Sequence, residues 1–598
     1  MSSRARTTRL RELRARALGG GKAVQSTPRT VLADALLLAA ALSVAVMIGI
    51  HGSGYHLRLA TDIAMFVAIT YSWNLISGYT GYVSLGHAVF FGFGGYATAL
   101  LIIHLDMAWW IAALCAGGLS AVVATPVGAV MLRLKGIYFA LGMLGLVRLT
   151  SIVVENWGYA GGSVGLRLPP VLATKQVYVF MVAIALAGFL LNWVMARSRF
   201  GLRAMAIRDD EDAARAMGVR TTSTKVIAFA LSAILPAIAG GLFAWNNSYL
   251  DPTSSFNANP PLDLQVVLFA LAGGIGTVWG PMIGAVSLSL VGEQLWARYG
   301  DLQQGLYGTL IVLCVLLLPG GVVSLLNRVR LFRRPVVLAP RGLPAGASPA
   351  APAAAADGGP VLTCRNVGMT FGGIRAVDGV DLEVHPGESV FIIGANGAGK
   401  TTLFNTITGF YKATDGEIIF KGKPIRGRSM AQLARSGIGR TFQIPRLFDT
   451  LTVWENVLVP SLSIHGRGEA VEYAAHVLRL VGLEGLWLAP VSTLPVGHRR
   501  QVEVARALAL HPHVILLDEV MAGMNHEEVE RLRETVRHMQ DHGVAAVAGV
   551  EHVIHAIADL ADRIVVLDRG RKIADGPPAE VLRDPVVVEA YLGEAVPA

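Results

Sequence analysis

Between residues 31 and 326 the chain is a succession of apolar stretches. A helix needs about 20 apolar residues to cross a bilayer. Stretches of that size fall at roughly 31–50, 59–77, 85–104, 109–132, 137–154, 176–196, 225–245, 265–291 and 305–326. Only 16% of the whole chain is charged, against about 25% for an ordinary soluble protein. So much contiguous apolar chain predicts a polytopic α-helical membrane domain over 31–330, with the lipid bilayer as its surroundings.

Basic residues set the sidedness. Arg4, Arg6, Arg9, Arg11, Arg14, Arg16, Lys22 and Arg29 precede the first apolar stretch, opposed only by Glu12. A flank of this kind, here 1–30, marks a cytoplasmic arm. It has no aromatics and no folded reader beside it, so nucleic acid is not expected as a partner. Arg133 with Lys135, and the run from Arg197 to Arg208, are the next cytoplasmic clusters. Counting onward, nine simple crossings would leave residue 327 outside, yet the chain beyond it is soluble and carries a nucleotide motif. The stretch GGIGTVWGP (273–281) is rich in helix breakers. Two short segments or a re-entrant hairpin are therefore expected within 265–291. The glycine-rich 75–96 serves either close helix packing or the transport path. Cys115, Cys314 and Cys364 show no metal spacing and read as packing residues in a reduced compartment.

Residues 331–360 form a Pro/Ala/Gly-rich linker, after which the pattern changes. From 361 to 598 short β-branched runs alternate with amphipathic helices, as in one α/β domain. VFIIGANGAGKTTLFNTI (390–407) reads as strand, glycine loop and helix, the setting of a phosphate-binding loop. Gly394, Asn396, Gly397, Ala398 and Gly399 supply the backbone cradle. Lys400 reaches the β- and γ-phosphates, Thr401 ligates Mg²⁺, and Thr402 supports the same end. VILLDE (514–519) is a strand ending in two carboxylates, which are costly to bury without a role. Asp518 suits Mg²⁺-bound water and Glu519 a general base.

RTFQ (440–443), LPVGHRRQVEVARAL (494–508), AGMN (522–525) and VEH (550–552) complete the order. With the two motifs above, the soluble half resembles the nucleotide-binding domain of ABC transporters. The resemblance implies ATP as the nucleotide and Phe371 as the adenine platform. It implies Gln443 as the glutamine sensing Mg²⁺ and the membrane domain, Asn525 in the dimer-facing loop and His552 beside the γ-phosphate. Leu494, Pro495, Val496, Gly497 and His498 become the signature offered to a partner's ATP. The usual LSGGQ reads LPVGH here. Pro495 replaces the serine that would bond the γ-phosphate, so the site built with this signature is expected to be the weaker of the two.

The membrane half narrows the resemblance. NLISGYTGYVSLGHAVFFGFGGYATALL (74–101), GIYFALGMLGLVRL (136–149) with NWGYAGGSVGL (156–166), residues 198–233 and LFALAGGIGTVWGPMIGA (268–285) resemble permeases of branched-chain amino-acid uptake systems. GFYKATDGEI, RTFQIPRLFDTLTVWENV and EAYLGEA resemble the ATPase subunits of those systems. The chain thus looks like an importer-type permease fused to its P-loop ATPase. AIRDDEDAARAMGV (206–219) reads as one short cytoplasmic helix, with Asp209, Asp210, Glu211 and Asp212 in its first turn and Arg208 just ahead. The family implies that it couples the ATPase to the permease. It also implies an extracytoplasmic substrate-binding protein, docked near 155–175. A second permease and ATPase, or a second copy of the chain, would complete the machine. Urea, amides or aromatic acids remain alternative cargoes. An exporter or a non-transporting ABC regulator fits the many short-looped spans poorly.

Overall fold

The computed structural model describes residues 24–25, 28–169, 174–256, 261–299, 302–318, 320–326, 334–340, 342–344, 359–521, 526–541, 544–549 and 560–592. The chain divides into two compact units. One runs to Asp209 and resumes over Thr221–Val337; the other takes Asp210–Arg220 and resumes at Leu338.

The first unit is helical. Its elements are α1 (Pro28–His51), α2 (Gly54–Trp73), α3 (His87–Leu105), α4 (Trp109–Met131), α5 (Ile137–Glu155), α6 (Thr174–Arg197) and α7 (Arg199–Asp209). The second unit holds the six-residue α8 (Glu211–Ala216), after which α9 (Thr221–Asn247), α10 (Leu262–Gly273), α11 (Gly280–Tyr299) and α12 (Gln303–Leu317) continue the first. Among the described residues, seven helices are long and apolar enough to span a membrane: α1 to α6 and α9. Exposure sorts them. α1 is only 6% buried while α2 and α9 are 72% and 67% buried, so α1 is peripheral and the other two are central. α9 lies tight on α3 because small residues meet there. A side chain at Gly94 or Gly240 would collide with the backbone of Ala237 or Phe91, the close approach that packs helices in lipid. A two-stranded pairing of Leu166–Arg167 with Tyr249–Leu250 ties the segment after α5 to the end of α9.

Two helices are interrupted. α2 runs into a wide π turn at Asn74–Gly78, and the chain is then non-helical from 81 to 86. α10 stops at Gly273, and α11 starts at Gly280. The breakers in GGIGTVWGP thus split 265–291 into two helices with a turn between.

The second unit is α/β. Its strands are β1 (Leu362–Phe371), β2 (Ile374–Val384), β3 (Ser389–Ile393), β4 (Asp415–Phe420), β5 (Lys423–Pro424), β6 (Ile438–Arg440), β7 (Val514–Asp518), β8 (Ala545–Gly549), β9 (Arg563–Asp568) and β10 (Arg571–Gly576). One sheet runs β6-β7-β8-β3-β9-β10, parallel except at β10; the other is antiparallel, β2-β1-β4-β5. β3 and β7 are buried along their whole length, as parallel strands covered on both faces must be. Helices α13 (Lys400–Ile407), α14 (Val453–Ile464), α15 (Val496–Leu508) and α16 (His526–Asp541) join them.

Candidate functional site

The loop from β3 to α13 turns on its glycines. Gly397 and Gly399 have φ of +86° and +101°, which side chains resist. A Cβ at Gly399 would also press on the Ala376 carbonyl. Asn396 and Gly397 are exposed, Ala398 is buried, and Gly394 closes the strand. Thr401 and Thr402 are half-buried in the first turn of α13. Lys400 Nζ donates to the carbonyls of Gly394 (2.5 Å) and Ala395 (3.2 Å). Burial pushes its pKa down, while Glu519 and Asp518 pull it back up. The loop thus carries one ammonium and leads straight into a helix N-terminus, a combination suited to phosphate.

Asp518 ends β7 and is buried, its N–H donating to Thr441 Oγ1 at 2.9 Å. Burial pushes its carboxyl up to about 6, against the pull of Arg440. Its Oδ2 is buried with no hydrogen-bond partner among the described residues. A carboxylate oxygen sealed in without a donor fits a hard divalent cation such as Mg²⁺. Glu519 has φ +48°, a backbone state costing about 1–3 kcal/mol that is tolerated at functional positions. Both its carboxylate oxygens accept from Gln443 Nε2 at 3.1 Å. The fold thus brings together two residues 76 positions apart. Phe371 is 41% exposed, and Tyr411 stands edge-on at 5.0 Å. Tyr411 was not singled out from the sequence; its nearness to the end of α13 was the available signal. Asn525 and His552 lie outside the described residues.

Pro495 is the N-cap of α15, exposed and without a capping side chain. Gly497 is buried under Glu528, whose carboxylate fills the space a Cβ would take. His498 Nδ1 lies 3.8 Å from the same carboxylate. Leu494 leads in and Val496 is exposed.

Sequence reasoning missed what the rest of α15 does. Arg500 donates to the carbonyls of Phe442 (3.0 Å) and Gln443 (2.6 Å) and pairs with Glu503 at 3.2 Å. Glu503 accepts the Phe442 N–H at 2.7 Å. Arg506 donates to the Arg446 carbonyl at 2.6 Å. The signature helix therefore grips the backbone that carries Gln443. The clue was the basic run HRR followed by Glu503 and Arg506 on one helical face.

The segment expected as one helix over 206–219 is two. Asp209 closes α7, and Asp210 leaves the helix to cap α8, its Oδ1 accepting the Ala213 N–H at 2.9 Å. An aspartate offering that cap competes with continuing the helix. Only Glu211 and Asp212 occupy the first turn of α8. Arg208 and Asp209 belong to the helical unit; Asp210–Arg220 belongs to the α/β unit. There Arg446 lies 3.9 Å from both Asp210 and Asp212. A Cβ at Gly218 would touch Ser463 and Arg435, so this segment is packed rather than solvated.

A phosphate-binding loop, a buried strand-end carboxylate pair, a glutamine loop and a helical domain with membrane-spanning helices define an ATP-binding cassette transporter. Residues 55–317 match the family model for the permease component of branched-chain amino acid transport systems. Residues 377–522 match that for ABC transporters, and 571–597 that for branched-chain amino acid ATP-binding cassette transporters. The chain is 38% identical over 253 residues to the high-affinity branched-chain amino acid transport ATP-binding protein LivG of Escherichia coli K12, spanning 99% of that protein and 40% of this chain. The same identity and coverage hold for the ATP-binding protein BraF of Pseudomonas aeruginosa. The chain belongs to the branched-chain amino acid transport family of ABC transporters, with a permease component and an ATP-hydrolysing component in one polypeptide.

Proposed function

We propose that the chain is half of an importer of branched-chain amino acids, set in the cytoplasmic membrane with its N-terminus and ATPase unit on the cytoplasmic side. The observation that carries this reading is that Asp210–Arg220 groups with the ATPase unit and packs against Arg435, Arg446 and Ser463 there. That segment lies between two membrane helices, and its docking residue Arg446 is held by the signature helix. Work done at the ATP site therefore has a route to the membrane.

The chemistry assigns itself by residue. The loop N–H groups and Lys400 hold the phosphates, and Phe371 with Tyr411 faces the adenine. Mg²⁺, held by Thr401 and through Asp518 and Gln443, supplies charge neutralisation at the phosphates. Glu519 takes the proton of the attacking water, and Gln443 fixes that carboxylate. His552 contacts the γ-phosphate, and Asn525 meets the partner cassette. The signature of a second ATPase closes over this loop, while Leu494–His498 serves the partner's ATP. ATP favours the closed pair, and that preference drives the permease between its states. A second permease and ATPase, or a second copy, completes the assembly, and an external binding protein delivers cargo.

The test uses vesicles carrying the full-length chain with its partner subunits and the binding protein outside. Leucine uptake that requires both ATP within and binding protein without is the expected result. Uptake of urea, an amide or an aromatic acid in its place would correct the cargo. ATP hydrolysis indifferent to every solute and to the binding protein would sink the importer reading in favour of an exporter or a regulator.

A further inference from the structure

The two interrupted helices of the membrane unit meet at one buried polar junction. Asn74, the first residue of the π turn, is fully buried. Its Nδ2 donates to Asn192 Oδ1 (2.8 Å) and to the Thr277 carbonyl (3.2 Å), and its Oδ1 accepts the Gly276 N–H at 2.8 Å. Tyr71 Oη donates to the Val278 carbonyl at 3.0 Å. The π turn is thereby stitched to the turn between α10 and α11. Side chains at the end of α2 thus satisfy backbone groups of the turn between α10 and α11, as irregular chain buried in protein requires.

Arg208 enters the same junction. It is 5% exposed, and its Nη1 donates to the Gly78 carbonyl at 2.8 Å. Two glycines, Gly81 and Gly276, make room for it, and Gly78 lets the two turns approach. A Cβ at Gly81 would come within 2.8 Å of Arg208 Cγ, and one at Gly276 would strike the guanidinium. A Cβ at Gly78 would lie 2.9 Å from the Gly276 nitrogen. The side chain therefore fills a slot bounded by both interruptions. Arg208 is also the second residue before Asp210, the cap of the segment that groups with the ATPase unit. A single turn of α7 thus carries, at one end, a buried cation on the broken-helix junction and, at the other, the chain leading into the dock.

We propose that Arg208 is a positioning residue that transmits nucleotide-driven movement of the 210–220 segment to the junction of Asn74–Gly78 with Gly274–Trp279, and that this junction is where the permease changes shape. A cation buried this completely against a backbone carbonyl is costly to desolvate and is kept where it holds a specific arrangement. A shape change at interrupted helices asks fewer helical hydrogen bonds to break than bending an intact span. The proposal rests on the importer reading.

The experiment places one reporter cysteine at the junction, Val278→Cys, in a full-length chain whose three native cysteines are replaced by serine. Maleimide labelling is tracked in vesicles with partner subunits present, under ATP and under ADP, alongside ATP hydrolysis. In the parent the labelling rate is expected to differ about fivefold or more between nucleotides, the lower end of inter-site coupling. Arg208→Gln should bring that ratio below about twofold while hydrolysis stays within about twofold of the parent, and Arg208→Lys should restore part of the ratio. A merely structural arginine would lower hydrolysis and labelling together. A nucleotide-dependent ratio that persists in Arg208→Gln overturns the proposal, as does a parent with no such ratio. Failure of both Arg208 variants to reach the membrane would make the residue a folding element and overturn it too. Failure of the importer reading looks different: the parent's junction would answer to ATP while no solute is taken up.

Discussion

Arg500→Met tests whether α15 holds the Gln443 loop through a buried ion pair. Arg500 and Glu503 are 6% and 2% exposed. The guanidinium serves two loop carbonyls and one carboxylate at once. Removing one partner of a buried pair costs about 3–5 kcal/mol, a large part of a total stability of about 5–15 kcal/mol. For a unit of this size 1 kcal/mol moves Tm by about 2–4 °C, so a loss on the order of 10 °C is expected. Thermal unfolding of the full-length chain in detergent reads it.

The pH dependence separates this cause from simple loss of packing. Burial raises the Glu503 pKa, and Arg500 is among the groups that lower it. Without Arg500 the folded value climbs further above the unfolded one, about 4.3. A carboxyl raised in the fold favours the fold while protonated. That contribution is fully present below the unfolded pKa and is lost as pH rises through the folded one. The Arg500→Met deficit should therefore be largest near neutral pH and shrink towards about pH 5, and Glu503→Gln in the same chain should relieve it at neutral pH. A deficit indifferent to both pH and the second substitution would refute the ion-pair account.

Glu519→Gln should lower ATP turnover at least about a hundredfold, as loss of a general base does, while closed ATP-bound assemblies accumulate on gel filtration; hydrolysis near the parent rate would remove Glu519 from that role. Asp210→Ala with Asp212→Ala should leave hydrolysis in place and lower leucine uptake, with a Tm cost of only a few degrees, because partly exposed pairs contribute about 0–1 kcal/mol and the lost Asp210 cap about 1 kcal/mol; unchanged uptake would make the Arg446 contacts incidental. Asp518, held at about 6, should lose its hold on Mg²⁺ as pH falls through that value, since the protonated carboxyl is no cation ligand. The Tm gained from Mg²⁺ with ATP should therefore shrink between about pH 7.5 and 5.5, and equal gains would show that Asp518 takes no part.

Much of the ATP site was legible because its residues sit in short local patterns. Strand, glycine loop and helix at 390–407 follow from periodicity and from positions that only glycine fills. The break in 265–291 was legible for a similar reason, since glycines and a proline cannot continue a span. The length of the docking helix was not legible. Charge pattern treats Asp209 to Asp212 alike, whereas the cap geometry at Asp210 splits them between two units. Nor could the Asn74–Gly276–Arg208 junction be read, because its partners are more than a hundred residues apart and no periodicity links one interruption to another.

The missed residues of α15 matter most for how one helix can serve two purposes. Its N-terminal end, Pro495–Gly497, is what the proposed function offers to a partner cassette. Arg500, Glu503 and Arg506 come next, on the face that grips Phe442, Gln443 and Arg446. From Arg500 to Arg506 the helix advances about 9 Å, and each of the three anchors is buried. Buried ion pairs add little net stability, but where they are retained they fix register. Here the register fixed is that of the Gln443 loop on the signature helix. On the proposed function, a tilt imposed on α15 by a partner's ATP is not absorbed by sliding of the Gln443 loop along that helix. On that reading the tilt passes to Gln443 and the Glu519 carboxylate, and to Arg446 with Asp210 and Asp212, through the contacts already described. The proposed function then ties hydrolysis and movement to one helix, and loosening Arg500 is expected to uncouple both from nucleotide closure.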